Sequence, residues 1–151
     1  MKAKPSPLIL IDFAILNSNF KFTAPADNID IRELVSSYEI DIDFAFNKND
    51  GDTRVFIKTA INQGDDEKPG YSIFAEGVAV FEFSVEANLS EADKKSLLQY
   101  SSVSIALNSL RGFISTLTAN APFGRYIFPS IDVNDLLKQK VQKIQAKKKK
   151  K

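Results

Sequence analysis

The clearest pattern along the chain is the alternation of Tyr38, Ile40, Ile42, Phe44 and Phe46 with Glu39, Asp41, Asp43 and Ala45. A period of two with one wet face predicts a strand. Asn47 to Asp52 supplies turn residues, and Thr53 to Asn62, with Val55, Ile57 and Ile61 on one face, reads as its hairpin partner. The polar loop Gln63 to Gly70 leads to a further strand from Tyr71 to Val85. One face of that strand carries Tyr71, Ile73, Ala75, Gly77, Ala79, Phe81 and Phe83. The small residues in the middle of the row predict close packing over it. Upstream, Leu8 to Phe22 is rich in Ile, Leu and Phe, and its alternation breaks at Asn17-Ser18-Asn19, which predicts one long strand with a bulge or kink. Ala24 to Asn28 reads as a turn. Ile29 to Ser36 reads as a connecting segment with apolar residues at Ile29, Ile31, Leu34 and Val35.

Beyond Val85 the period changes. Ser90 followed by Asp93, ahead of Leu97-Leu98, predicts a capped short helix ending near Tyr100. Val103, Ala106, Leu107, Leu110, Ile114 and Leu117 then recur at helical spacing, with Ser104, Asn108, Arg111 and Ser115 opposite, predicting an amphipathic helix of about 16 residues. Ala121-Pro122-Phe123-Gly124 and Phe128-Pro129 break it and leave an extended loop carrying Phe123, Tyr126, Ile127 and Phe128. Asp132 can cap a final helix bearing Val133, Leu136, Leu137, Val141 and Ile144. Four strands followed by two main helices predict an α+β fold, an open antiparallel sheet with both helices packed on one face. The expected organisation is a disordered lead-in over 1–7, one domain over 8–145, and a solvated lysine-rich tail over 146–151.

Composition narrows the chemistry. At 151 residues the chain is sized for a single domain, and it has no Cys and no His. Disulfides, thiol nucleophiles, imidazole- or thiolate-based zinc sites and His-dependent triads are thereby excluded. Residues 1 to 137 hold 12 basic and 19 acidic groups, a net −7, and the remaining eight basic groups are lysines between Lys138 and Lys151. An acidic body with a basic tail argues against nucleic-acid binding by the body, and the lysines themselves are expected to be solvated rather than an RNA or ribosome contact. The apolar run Leu8 to Ile11 is stopped by Asp12, too short for a signal peptide or a membrane span, so a cytoplasmic protein without membrane insertion is expected. The sequon Asn88-Leu89-Ser90 is then incidental.

There is no phosphate-binding glycine motif, so no nucleotide is expected, and no other cofactor or metal. Asp41 and Asp43 share a strand face and could serve acid and base roles, but they read better as the wet face of that strand, and no enzyme is expected. Asn47 to Asp52 lacks a Gly at the sixth position of a calcium loop, and its distal Glu. The aromatic supply is more informative: 12 Phe and 4 Tyr without Trp. Most of the strand phenylalanines belong in a core. Phe123, Tyr126 and Phe128 sit in a broken loop, where apolar side chains need a groove, a subunit or a client to cover them.

The segment Tyr100 to Thr118, with Arg111 in mid-helix, followed by Phe123-Gly-Arg-Tyr-Ile-Phe-Pro-Ser-Ile-Asp-Val-Asn-Asp-Leu-Leu137, resembles the SecB family of export chaperones. Phe20-Lys-Phe-Thr-Ala-Pro25 is similar to the end of the family's first strand, and the resemblance spans about residues 9 to 137. It implies a four-stranded antiparallel sheet backed by two helices, assembled as a homotetramer, a dimer of dimers. It also implies a holdase that binds unfolded polypeptides without ATP. The implied client-binding residues are Ile29, Ile31, Leu34 and Val35 on one wall and Phe123, Tyr126 and Phe128 on the other, with Phe44 and Leu110 or Phe113 as floor. Clients would be preproteins or, as in SecB-like chaperones that accompany toxin–antitoxin pairs, a disordered antitoxin segment. Where export members carry acids on the first strand and a Leu/Glu pair on the fourth, this chain has Asn19 and Thr23, then Ser72 and Phe74. Docking to the translocation ATPase is therefore not carried over. An adaptor whose apolar loop is used up in oligomerisation is the alternative of a different class.

Overall fold

The computed structural model describes residues 1–26, 28–48 and 51–149, with the side chains of 147–149 left aside. Parts of two expected turns, Asp27 and Asn49-Asp50, and the last two lysines lie outside the described residues.

The alternating segments form one antiparallel sheet of β1 (Leu8–Thr23), β2 (Ile40–Lys48), β3 (Thr53–Ile61) and β4 (Gly70–Phe83). The order across the sheet is β1-β4-β3-β2, so β1 and β2 are its edges. Alternation decides the faces: Val55, Ile57 and Ile61 of β3 and Tyr71, Ile73, Ala75, Ala79 and Phe81 of β4 are buried on one side. The small residues of β4 let the ring of Phe13 lie across Gly77, where a Cβ would stand 2.7 Å from the ring. Two register steps in the β1–β4 ladder, between Leu10 and Asp12 and between Ile15 and Asn17, leave Ile11 and Leu16 as the extra residues. The second lies beside the polar break at Asn17. The first lies beside the single polar residue Asp12, at which the ladder resumes.

The helices cover the apolar face. Ser90 caps α2 (Glu91–Ser96), accepting from the Asp93 N–H at 3.1 Å. The helix does not end near Tyr100. It continues through a π-helical turn, Leu97–Ser102, into α3 (Val103–Leu117), and the wider turn brings Leu98, Ser102 and Val103 inward together. The Ser102 hydroxyl donates to the Leu98 carbonyl within it. Val103, Ala106, Leu107, Leu110 and Ile114 are buried in the common core, as the stripe requires.

Two connections differ from the expectation. Ile29 to Ser36 is not plain linker: Asp30 Oδ1 accepts from the N–H groups of Arg32 (2.8 Å) and Glu33 (3.2 Å) and starts the short helix α1 (Ile31–Ser36). The i, i+4 pair Ile31/Val35 lies on one face of it. The final helix, α4 (Val133–Lys149), begins as expected with Asp132 accepting from Asn134 and Asp135 N–H, but runs beyond residue 146 into the lysine run. Nothing between Asp132 and Lys149 breaks a helix, and Lys, Gln and Ala all favour one.

Candidate functional site

A hollow of about 400 Å³ opens between α1, the start of β2 and the loop that joins α3 to α4. α1 contributes Ile31, Arg32, Val35 and Ser36, two adjacent pairs at i, i+4 spacing that face the hollow together. Tyr38 and Ile40 share one face at the entry to β2. The loop contributes Phe123, Arg125, Tyr126, Ile127 and Pro129.

The loop is held in place by hydroxyls rather than by regular structure. Tyr71 Oη donates to the Gly124 carbonyl and accepts from the Phe123 N–H, each at 2.7 Å. Thr118 Oγ1 donates to the Ile114 carbonyl and accepts from the Tyr126 N–H, each at 2.8 Å. At the far end, Arg111 donates to the Pro129 carbonyl (2.9 Å) and its guanidinium lies 5.6 Å from the Phe128 ring centre. Gly124 has φ +74°, a left-handed turn that suits glycine. Below the loop, Phe123 packs edge-on against Phe22 at 5.1 Å and against Tyr71 at 5.4 Å, and Tyr126 stacks on Tyr38 at 6.4 Å. Tyr38 Oη in turn donates to the Pro69 carbonyl and accepts from the Tyr71 N–H. Gly70 is required beneath it: φ is +95°, and a Cβ there would lie 2.0 Å from the Tyr38 hydroxyl. The hollow therefore has a fixed aromatic floor, so an occupant need not order it on binding.

Burial raises the phenols. Desolvation, with a smaller contribution from Tyr38, pushes Tyr126 up to about 12. Burial raises Tyr38 and Tyr71 in the same way, against the opposing effect of their backbone hydrogen bonds, and proximity to Tyr38 raises Tyr71 further. All three present neutral aromatic surfaces at physiological pH.

The expected client-binding residues divide into three groups. Ile31, Val35, Phe123 and Tyr126 line the hollow together. Ile29 is exposed beside it, and half-buried Leu34 packs against the core. The expected floor does not lie under it. Leu110 is 0% exposed, fully enclosed between α3 and the sheet, because it falls in the centre of the helix stripe. Half-buried Phe113 packs against that core; Phe128, expected on the loop wall rather than the floor, is 4% exposed and covered by Arg111. Phe44, also 4% exposed, lies beneath α4, with Lys140 Nζ 5.4 Å from its ring centre. The residues that form the floor and rim instead are Tyr38, Ile40, Arg32, Arg125 and Ile127. Tyr38 and Ile40 were visible as the first residues of the alternating strand; the arginines carried no signal.

Of the Asp41/Asp43 pair, Asp43 makes a structural contact. Asp43 Oδ1 receives Lys140 Nζ at 2.6 Å, tying α4 to the β2 edge. Partial burial pushes the Asp43 carboxyl up, but Lys140, the Phe44 N–H and Lys58 outweigh it and hold the carboxyl below its ordinary value. A second hollow, of about 560 Å³, lies at the other end of β2 among Phe46, Phe81, Phe83 and Leu98. Its rim carries both signs: Lys48, Lys94 and Lys95 beside Asp52, Glu82 and Glu91. Among the described residues no group of three or more Asp or Glu is arranged to hold a metal ion, and no helix is long and apolar enough to cross a membrane.

A sheet in the order β1-β4-β3-β2, backed on one face by a long helix and a C-terminal helix and flanked by a loop-walled hollow, defines a SecB-like fold. Comparison with solved structures bears this out: the chain is similar to the Mycobacterium tuberculosis Rv1957 SecB-like chaperone, solved in complex with a ChAD peptide from the Rv1956 HigA1 antitoxin. The TM-score is 0.60 at 13% identity, covering 83% of this chain and 91% of that one. A Streptococcus agalactiae protein of unknown function matches with a TM-score of 0.41 and 10% identity over 82% of this chain and 97% of that one, too distant to define a fold. No protein-family model matches the chain, and no curated protein matches it in sequence.

Proposed function

We propose that the protein is an ATP-independent, non-enzymatic chaperone that holds non-native polypeptide segments in the hollow between α1 and the α3–α4 loop. The observation that carries this reading is the hollow itself: a preformed aromatic floor with apolar side chains left on its rim, Ile31 at 44% and Ile127 at 74% exposed. Such a site gains affinity from apolar area without selecting one sequence, and a client spanning several copies of it gains by multivalency. A chaperone dedicated to one antitoxin is the second reading, favoured by the peptide that the similar mycobacterial protein carries.

Assembly as a homotetramer in the cytoplasm belongs to the same proposal. It is supported by the edge strand β1, which leaves Ile9, Leu10, Ile11 and Leu16 exposed along 16 residues of open hydrogen-bonding edge. Light scattering would give the mass; a monomer at working concentration would remove this part of the proposal.

Suppression of aggregation of a chemically unfolded client tests the reading. Replacing Ile31 and Ile127 by Ser leaves the buried floor intact, unlike substitution of Tyr126. The wild type should hold the client soluble and the double variant should lose at least half of that effect. Equal activity of the two proteins would place holding elsewhere; no activity in either would favour the adaptor.

A further inference from the structure

Among the described residues, Arg32 and Arg125 are the only charged side chains that line the hollow, one on each wall, from α1 and from the α3–α4 loop. Both residues are exposed, and the ion pairs found among the described residues use neither. The acids at α1 are not part of the lining: Asp30 is occupied at the helix N-terminus, and Glu33 does not line the hollow. This single sign contrasts with the larger hollow at Phe46, where lysines and carboxylates are mixed. It also contrasts with the rest of residues 1–137, which are net acidic.

From this we infer that the groove selects apolar segments flanked by acidic residues. This rests on the reading of the hollow as a client groove and names the class of client it takes. A guanidinium offers a planar fork of donors matched to a carboxylate, and two of them on opposite walls can engage acids on either side of an apolar stretch. The acidity of the body argues for basic clients instead. Its charges are spread over the surface, however, and at physiological salt they are screened beyond about 8 Å, so the rim decides the preference of a bound segment. The same rim disfavours the chain's own lysine-rich end as an occupant.

The test uses the full-length protein and three fluorescent peptides that share one apolar core and carry Asp, Ser or Lys at both flanks. Affinity should fall in the order Asp, Ser, Lys, with Asp about tenfold tighter than Lys at low salt and the gap narrowing to about twofold near 0.5 M salt. The double variant Arg32→Glu/Arg125→Glu should reverse the order, so that the Lys peptide binds tightest and the Asp peptide weakest. Equal binding of all three peptides would overturn the preference and leave the groove standing. A preference for Asp that survives in the variant would also overturn it, by assigning the preference to other charges such as the α4 lysines. If no peptide binds at all, the groove reading falls and the preference with it.

Discussion

Tyr71 holds two backbone groups of one loop with a single hydroxyl, and the geometry of the groove wall depends on that economy. Tyr71→Phe keeps the ring against Phe20, Phe22 and Phe123 but leaves the Phe123 N–H and the Gly124 carbonyl without their partner. A loss of about 1–3 kcal/mol is expected in chemical denaturation, with faster hydrogen exchange at Phe123 and Tyr126. Tyr126 adds a signature in pH. Its phenol is at about 12 in the fold and near 10 when unfolded, so the folded state keeps the proton that the unfolded chain releases. That contribution is fully present below pH 10 and is lost as pH rises from 10 to 12. Tyr126→Phe should therefore show a shallower decline than wild type over that interval, read from denaturation midpoints.

Among the elements, the strands were the most legible in the sequence, because a half-buried sheet imposes a period of two that residues such as Ile40, Ile42, Phe44 and Phe46 display directly. α1 was not legible: six residues with one Asp cap give too short a window for a helical period to register against a turn. The π-helical turn was hidden for a related reason, since one extra residue at Leu97–Ser102 shifts the stripe without introducing any breaker. The groove was half legible. Side chains that had to be covered in a broken loop could be named, but which of them serve as floor depends on how α4 lies over Phe44 and Arg111 over Phe128, and neither contact leaves a local pattern. The Asp43–Lys140 bond is the element-level device with a testable weight. It is partly exposed, so Lys140→Ala should cost no more than about 1 kcal/mol while raising hydrogen exchange along α4. Because Asp43 is depressed in the fold, the contribution is present above the ordinary carboxyl value of 3.8 and disappears as pH falls below it.

At the scale of the whole molecule, one face of the sheet is taken up by core and helices, and the two edges are left to make contacts of different kinds. β1 presents a long, bulged edge with exposed apolar side chains, on which the proposed assembly rests; β2 begins at the hollow and is tied down by α4 further along. The similar mycobacterial structure shares this architecture at 13% identity, which shows how little of the fold resides in particular residues and how much in the order of its elements. The most direct measurement of the central claim is an NMR titration of the protein with an apolar peptide, following backbone and methyl signals. Shifts concentrated at Ile31, Val35, Ile40 and Ile127, with Leu110 unmoved, are the expected result. Shifts confined to the hollow around Phe46 and Leu98 or to the β1 edge, with the α1 and loop signals unchanged, would contradict it.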